Sequence, residues 1–441
     1  MITVKINNSE SQIIGLSVEQ FKRLRRLLSY AVNGTAYFNK GFYQVKYLMD
    51  KRGVFPTGLL YIVQNYLKST PHTVNDLRTQ PIARKSIFTL SLGYSPYPEQ
   101  VKAAKACKTH MRGIVVAPTG VGKSAIAALI INELQVPTLV VVPSLELKRQ
   151  LTAGLKAAFG DAVVGKDKPI CVENVDSLAR KTLKTKYDCV IIDEFHHSGA
   201  STYRKLNKKA WGGIFYRFGL TATPFRSQDN ERLLLESVLS QVIYQVDYHT
   251  AVSNDYIVPM EAYYYEIPKS KTDQIKWAGV YSDLVVRNNA RNGLIASLLV
   301  SLRDSGVSTL CLVKEIAHGE ELSKLANVHF ANGQNEDTED LIKFFNQNKI
   351  KALIGTTGVI GEGVDTKPAE FIIIAGLGKS KNQFMQQVGR GFRKYPGKES
   401  CKIIIFLDPS HKWTKAHFKA QLAILAEEYN IIPQKLPFFV D

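Results

Sequence analysis

Residues 117–124 read APTGVGKS, after the apolar run GIVV and before AIAALIINEL, whose apolar residues recur with helical periodicity. Two glycines around Val121, followed at once by a lysine, make poor helix filler but a good anion turn. Glycine permits backbone angles that aim several N–H groups at one oxyanion, and the helix beyond adds its positive N-terminal end. Lys123 can then reach the β- and γ-phosphates of a nucleoside triphosphate, and the Ser124 hydroxyl can ligate Mg²⁺. Thr119, Gly120, Gly122, Lys123 and Ser124 are the expected contacts. The strict phosphate-loop pattern begins with glycine, whereas this chain has Ala117.

A bound metal also needs a carboxylate. CVIIDEFHH (189–197) supplies it, because four apolar residues end in Asp193 and Glu194. Two acids closing a buried strand are costly unless they bind something. Asp193 is expected to hold Mg²⁺ through water, and Glu194 to orient and deprotonate an attacking water. His196 and His197 are adjacent, a poor arrangement for sharing one metal, so they are read as coupling the nucleotide site to its neighbours.

DEFH is a DExH box. Together with the phosphate turn, LTATP (220–224) and QQVGRGFR (386–393), it resembles a superfamily 2 helicase over about residues 94–408, with the motifs in family order. Gln100 in YSPYPEQ resembles the glutamine that reads adenine, with Tyr97 or Tyr94 as stacking partner. Pro143 and Ser144 in VVPSLELKRQL would sit at the DNA backbone, and VENVDSL (172–178) looks like the next backbone-contacting loop. Thr221 and Thr223 match the motif that links hydrolysis to the nucleic-acid track. In IGTTGVIGEGVD (354–365), Thr356 and Thr357 would contact DNA, while Gly363 and Asp365 would face the cleft. Gln386, Arg390 and Arg393 have the spacing of the family's final motif. A guanidinium is always charged and meets a phosphate bidentately, and an arginine finger is worth roughly 10³–10⁵ in rate. The resemblance implies ATP bound between two domains, closure that depends on the γ-phosphate, and DNA running across both.

The elements that must position these residues are legible. From about residue 112, GIVVAP, TLVVVP, DCVIIDE, RFGLTAT, STLCLVK, KALIGTT, EFIIIAG and CKIIIFLD alternate with amphipathic segments. Short Val/Ile-rich runs separated by helix-length segments predict buried parallel strands and doubly wound α/β architecture. The expected fold is two RecA-like doubly wound parallel-sheet domains, 87–241 and 293–441, joined by a connecting segment, 242–292. A small basic α+β domain, 1–86, precedes them. In it Ser17 and Gln20 predict a capping box opening a helix with Phe21, Leu24, Leu27 and Leu28 inward. A second helix is expected over PTGLLYIVQNYLKS, with Pro56 near its first turn.

The net charge of +18 asks for a polyanionic partner. Residues 1–86 carry 13 Lys and Arg against 4 Asp and Glu, so net +9 lies in front of every catalytic motif. Lys22, Arg23, Arg25 and Arg26 cluster on one predicted helix. No run approaches the ~18 apolar residues of a membrane span, and MITVKINNSESQ has no leader pattern. Five scattered cysteines without a CxxC pair argue against a disulfide framework. A monomer in the cytoplasm, or in a bacterial host's cytoplasm if phage-encoded, is expected, with ATP and Mg²⁺ as cofactors and no membrane partner. A compact motor behind a basic module is most similar to the phage UvsW-type helicases that remodel forked and branched DNA. Three other readings stand beside this one: an RNA helicase, a restriction-type translocating subunit, and a nucleotide-gated DNA-binding switch without strand separation.

Overall fold

A computed structural model describes residues 1–33, 43–82, 88–180, 186–195, 201–223, 229–360, 364, 366–376 and 378–437. They form two compact units, Met1–Ala117 with Gly122–Val246, and Pro118–Val121 with Asp247–Asp441.

The first unit is built on a six-stranded sheet in the order Val242–Gln245, Arg112–Val116, Tyr216–Thr221, Cys189–Ile192, Thr138–Val142, Ile170–Asn174. All its pairings are parallel. Every residue of the five inner and far strands is buried, which is why they read as unbroken apolar runs rather than alternating ones. Ile114, Val190, Ile192, Phe195 and Trp211 lie at the centre of one packed core.

The N-terminal module adds a four-stranded sheet, Val54–Pro56, Glu10–Ile14, Ile2–Ile6, His72–Asp76, and a ribbon of Ser29–Asn33 with Tyr43–Tyr47. The expected capping box is present: Gln20 N–H donates to Ser17 Oγ at 3.2 Å and Ser17 N–H to Gln20 Oε1 at 2.9 Å. Leu24 and Leu28 are buried, but Leu27 is 50% exposed. Leu27 lies about 100° round the helix from Leu28 and misses the narrow buried stripe. Pro56 stands at the N-cap of a 3₁₀ turn, near the first turn of the helical stretch as expected. It ends an edge strand opposite Glu10, a position where a missing N–H costs no ladder bond, and the α-helix begins at Leu60 after a 3₁₀ turn.

Arg217 fastens this module to the first parallel sheet. Its side chain is fully buried. Nε donates to Ile214 O at 2.8 Å, Nη1 to Asn207 Oδ1, and Nη2 to Trp211 O at 2.8 Å, Gly212 O at 3.0 Å and Ser9 Oγ at 3.2 Å. Burial, then the nearby charges of Arg112 and Arg78, hold its pKa well below the usual arginine value. Ser9 Oγ also donates to the carbonyls of Asn207 and Gly212 at 2.9 Å, Arg112 donates to Asn8 O at 2.7 Å, and Leu233 packs into the module's own core.

The second unit holds a seven-stranded sheet in the order Phe330–Ala331, Ala352–Thr356, Thr309–Val313, Phe371–Ile374, Cys401–Leu407, Met260–Glu266, Gln434–Leu436. It too is parallel throughout. The architecture is two RecA-like parallel sheets with flanking helices and an N-terminal sheet region. Within 242–292, Val242–Gln245 joins the first sheet and Met260–Glu266 the second.

Arg217→Met keeps the apolar stem but strands several buried acceptors, each costing roughly 1–3 kcal/mol. A loss of about 3 kcal/mol or more is expected in urea unfolding, with a lower midpoint and an unchanged slope.

Candidate functional site

The strand Arg112–Val116 delivers the chain to the turn 117–122, and the helix Lys123–Leu134 leaves it. Gly120 and Gly122 have φ of +98° and +88°, a region that a side chain enters only under strain. At Gly122 there is also no room: a Cβ would stand 2.6 Å from Gln100 Nε2. Gly122 occupies the N-cap with no side-chain cap, so the first N–H groups of the helix are left to an external acceptor.

Three strand ends converge behind this turn. Ala117 N–H donates to Thr221 O at 3.0 Å, and Asp193 N–H to Val141 O at 2.9 Å. Asp193 and Glu194 follow the buried strand Cys189–Ile192 directly. Asp193 is buried, and its Oδ1 accepts from Glu194 N–H at 3.0 Å. Glu194 has φ +47°, uncommon for a residue with a side chain, and its Oε1 lies 3.3 Å from Lys123 Nζ. The structure thus brings the lysine and both acids predicted from sequence into one constellation. Its chemistry suits a Mg²⁺-bound polyphosphate: a cradle that a single Cβ would fill, helix N–H donors, a cation, a hydroxyl at Ser124 and two carboxylates.

Gln100 is buried at the third position of the helix Pro98–His110, where its Oε1 accepts from Tyr97 N–H at 2.9 Å. Its amide nitrogen is the group that abuts Gly122. Thr221 and Thr223 are both buried. The Thr221 hydroxyl donates to Thr223 O at 2.9 Å and accepts from Thr223 N–H at 3.1 Å, so it builds the turn. Ser144 caps the helix Leu145–Phe159 by accepting from Leu147 N–H at 3.2 Å. Asn174, which sequence reasoning did not single out, donates to Pro143 O at 2.8 Å and accepts from Asp176 N–H at 3.0 Å. It ties the 143–144 turn to the junction of the strand Ile170–Asn174 with the helix Val175–Arg180, so VENVDSL is a strand end and a helix start rather than the expected loop. An Asn just ahead of a helix start was the available signal.

In the second unit, Thr356 ends a buried strand and Thr357 N–H donates to Val313 O at 2.9 Å. Gln386 lies on the helix Lys381–Gly389, Arg390 is its C-cap, and Arg393 follows a 3₁₀ turn. Arg390 is buried and donates to Val364 O. Gly391 is dictated by packing, because a Cβ there would stand 1.9 Å from Cys401 Sγ. Gly363, Asp365, His196 and His197 lie outside the described residues.

A separate groove of about 900 Å³ opens between the N-terminal module and the helices Ser201–Lys208 and Asp229–Val238. Among the described residues, Arg25, Lys51, Arg52, Arg204, Lys205 and Lys208 line it against Glu10 and Asp50. Arg25 is held in place, with its guanidinium 4.0 Å from the Tyr47 ring centre and Nε donating to Met49 O at 3.1 Å.

Two family models match the chain: "Type III restriction enzyme, res subunit" over residues 93–226 and "Helicase conserved C-terminal domain" over 292–395. The "DNA 3'-5' translocase XPB2" of Sulfurisphaera tokodaii is 25% identical over 67% of this chain and 78% of its own length. The "ATP-dependent DNA helicase uvsW" of Enterobacteria phage T4 is 19% identical over 74% of this chain and 71% of its own. Among solved structures, the "ATP-dependent Type ISP restriction-modification enzyme LlaBIII bound to DNA" aligns at a TM-score of 0.58 and 15% identity, covering 83% of this chain and 34% of that one. The alignments with four other curated relatives cover between 47% and 51% of those proteins, so the chain spans about half their length.

Gly122→Ala forces alanine to a positive φ and against Gln100, at a cost of about 1–3 kcal/mol. In a Gln100→Ala background the steric part should vanish, and only the backbone part remain. Thermal unfolding of the two singles and the double separates them.

Proposed function

The chain belongs to superfamily 2 of the helicases, and on that footing we propose that it is an ATP-dependent DNA helicase or translocase acting on forked and branched DNA. The observation that carries this reading is the Lys123–Glu194–Asp193 constellation, set behind a glycine turn at the carboxyl ends of a buried parallel sheet. In α/β sheets of this kind ligands sit at those strand ends.

In this reading Thr119, Gly120, Gly122, Lys123 and Ser124 hold the phosphates of ATP, Ser124 and Asp193 hold Mg²⁺, and Gln100 faces the adenine. Bound MgATP supplies the phosphoanhydride whose cleavage drives the cycle. Glu194 orients a water and takes its proton. Gln386, Arg390 and Arg393 answer the γ-phosphate, and Gly363 and Asp365 are assigned to the cleft by their motif. Pro143, Ser144, Thr221, Thr223, Thr356 and Thr357 make up the nucleic-acid track. For Thr221 and Thr223, whose side chains are buried, the contribution is to shape the turn.

DNA as partner is supported by the net charge of +18 and by the cationic groove of the first unit. The named relatives are a DNA translocase and a DNA helicase. A groove walled on one side by the N-terminal module suits the duplex arm of a branched substrate, which a motor can push against. The ATPase rate measured at matched salt with single strand, duplex, fork, four-way junction and RNA tests the assignment. Strongest stimulation by forks and junctions is expected. Strongest stimulation by RNA would make the chain an RNA helicase, and turnover without strand displacement would make it a translocase only.

Lys123→Ala should abolish ATP turnover while DNA affinity, which rests on dispersed cations, changes little. Glu194→Gln should bind MgATP but hydrolyse it poorly, because the amide keeps the shape and loses the base. An unchanged rate in either folded variant rejects the assignment.

The groove makes a separate prediction. Replacing Lys51, Arg52 and Lys205 with alanine should lower the slope of log affinity against log salt on duplex by about 0.9 for each phosphate that is no longer neutralised. Single-strand-stimulated ATPase should survive. Slopes equal to those of the parent protein would leave the groove without a role in duplex binding.

A further inference from the structure

The chain has three tryptophans. Trp211 is fully buried in the core of the first unit. Trp277 and Trp413, both in the second unit, are half-buried and gathered together, with ring centres 6.1 Å apart and planes at 90°. Tyr281 lies 5.5 Å and His417 4.3 Å from Trp277. Beside Trp277, Ile275 is 86% exposed. Tyr281 and His417 are buried, and the two half-buried indoles form the outer layer over them.

The cluster adjoins a polar pocket of the same unit. It has a volume of only about 20 Å³, room for one water, among Lys314, Thr357, Ser380, Gln383 and Gln421. Lys314 Nζ stands 5.3 Å from the Tyr281 ring centre, which joins pocket to cluster. Gln421, one helical turn beyond His417, is 2% exposed, and its Oε1 has no hydrogen-bond partner among the described residues. A buried amide oxygen without a protein partner is expensive unless a water meets it, and the pocket has room for one. The local field is cationic: burial, then the charges of Lys379 and Lys314, hold the His417 imidazole down at about 4.

Half-buried indoles next to cations match one chemistry closely, an unpaired nucleobase with its phosphate. A duplex hides its base faces in the stack and offers only phosphates. We propose that Trp277 and Trp413 form a base-stacking platform for single-stranded nucleic acid, whose phosphates meet the exposed Lys314 beside Tyr281. The platform lies in part on the segment 242–292, to which the sequence assigned only a connecting role. The proposal rests on the nucleic-acid reading of the chain and adds to it which part of a substrate the second unit grips.

Base stacking is worth about 5- to 150-fold in affinity per base. The test uses the full chain with an oligothymidylate and an abasic oligomer of equal length, which carries the same phosphates without bases. Binding is followed by anisotropy and by tryptophan emission. Oligothymidylate should quench the emission of the parent protein and the abasic oligomer should not, since Trp211 is out of reach. Trp277→Ala should weaken oligothymidylate binding by a factor in that range and leave abasic binding unchanged, while Trp277→Tyr should restore most of the loss. Equal losses on both oligomers, no loss on either, or emission indifferent to bases in the parent protein each overturn the platform. The emission comparison requires no variant, so it decides even where Trp277→Ala unfolds. Should the parent protein bind neither oligomer at any low salt, the nucleic-acid reading itself fails, and the platform with it.

Discussion

The pairing of Lys123 with Glu194 at 3.3 Å is the interaction on which the nucleotide site depends. Parallel strands buried on both faces leave no interior place for charge, so ionised groups collect where the strands end. Here an acid pair ends one strand and a lysine begins the helix after another. Neither side chain is more than 16% exposed. Removing either would take the counterion from a partly buried charge, which costs more than the pair gains. In the proposed reading a bound phosphate would compete with the Glu194 carboxylate for the same ammonium. The positive φ of Glu194 keeps that carboxylate beside the turn instead of along the strand.

Arg217 solves a different problem in the same sheet. It carries a guanidinium into the core, where carbonyls and one side-chain amide, rather than a carboxylate, take most of its hydrogens. Burial and two neighbouring arginines both oppose its charge, so every acceptor matters. One of them, Ser9, belongs to the N-terminal module. Tyr61 adds a hydrogen bond of 2.5 Å to Glu236, itself paired with Arg232. The module is therefore part of the first unit's interior and not an appendage that can be cut away cleanly. Substitution on the groove surface is the sounder probe of its charge.

Much of this was legible in the sequence. Unbroken runs such as CVII and TLVVV identify buried parallel strands because no residue in them could face water. The glycine spacing in TGVGK identifies the turn because only glycine tolerates φ near +90°. Ser17 and Gln20 announce a helix start through their own hydrogen bonds. What escaped depends on partners distant in sequence. Asn174 matters because Pro143 lies opposite it, and Gly391 because Cys401 does. Leu27 has the right chemistry for a core but the wrong angle. The strand Met260–Glu266 reads MEAYYYE, mixed in polarity, because its outer neighbour is only the three-residue strand Gln434–Leu436 and its tyrosines stay half-buried. A sequence pattern of that kind does not reveal which sheet it joins.

The second unit couples its own motifs by the same economy of contacts. Arg390 is buried, yet it is read as a group that must meet a phosphate. Its guanidinium donates to the carbonyl of Val364, which belongs to the segment IGTTGVIGEGVD. One arginine thereby joins the segment after the strand Ala352–Thr356 to the helix Lys381–Gly389. The helix has little freedom to retreat, because Gly391 is pressed against Cys401 and Phe392 is packed on Tyr248 and Tyr429. That hydrogen bond fixes the Val364 carbonyl against the end of the helix. In the proposed reading Arg390 answers the γ-phosphate, so a phosphate that draws on its guanidinium must compete with the Val364 carbonyl for it.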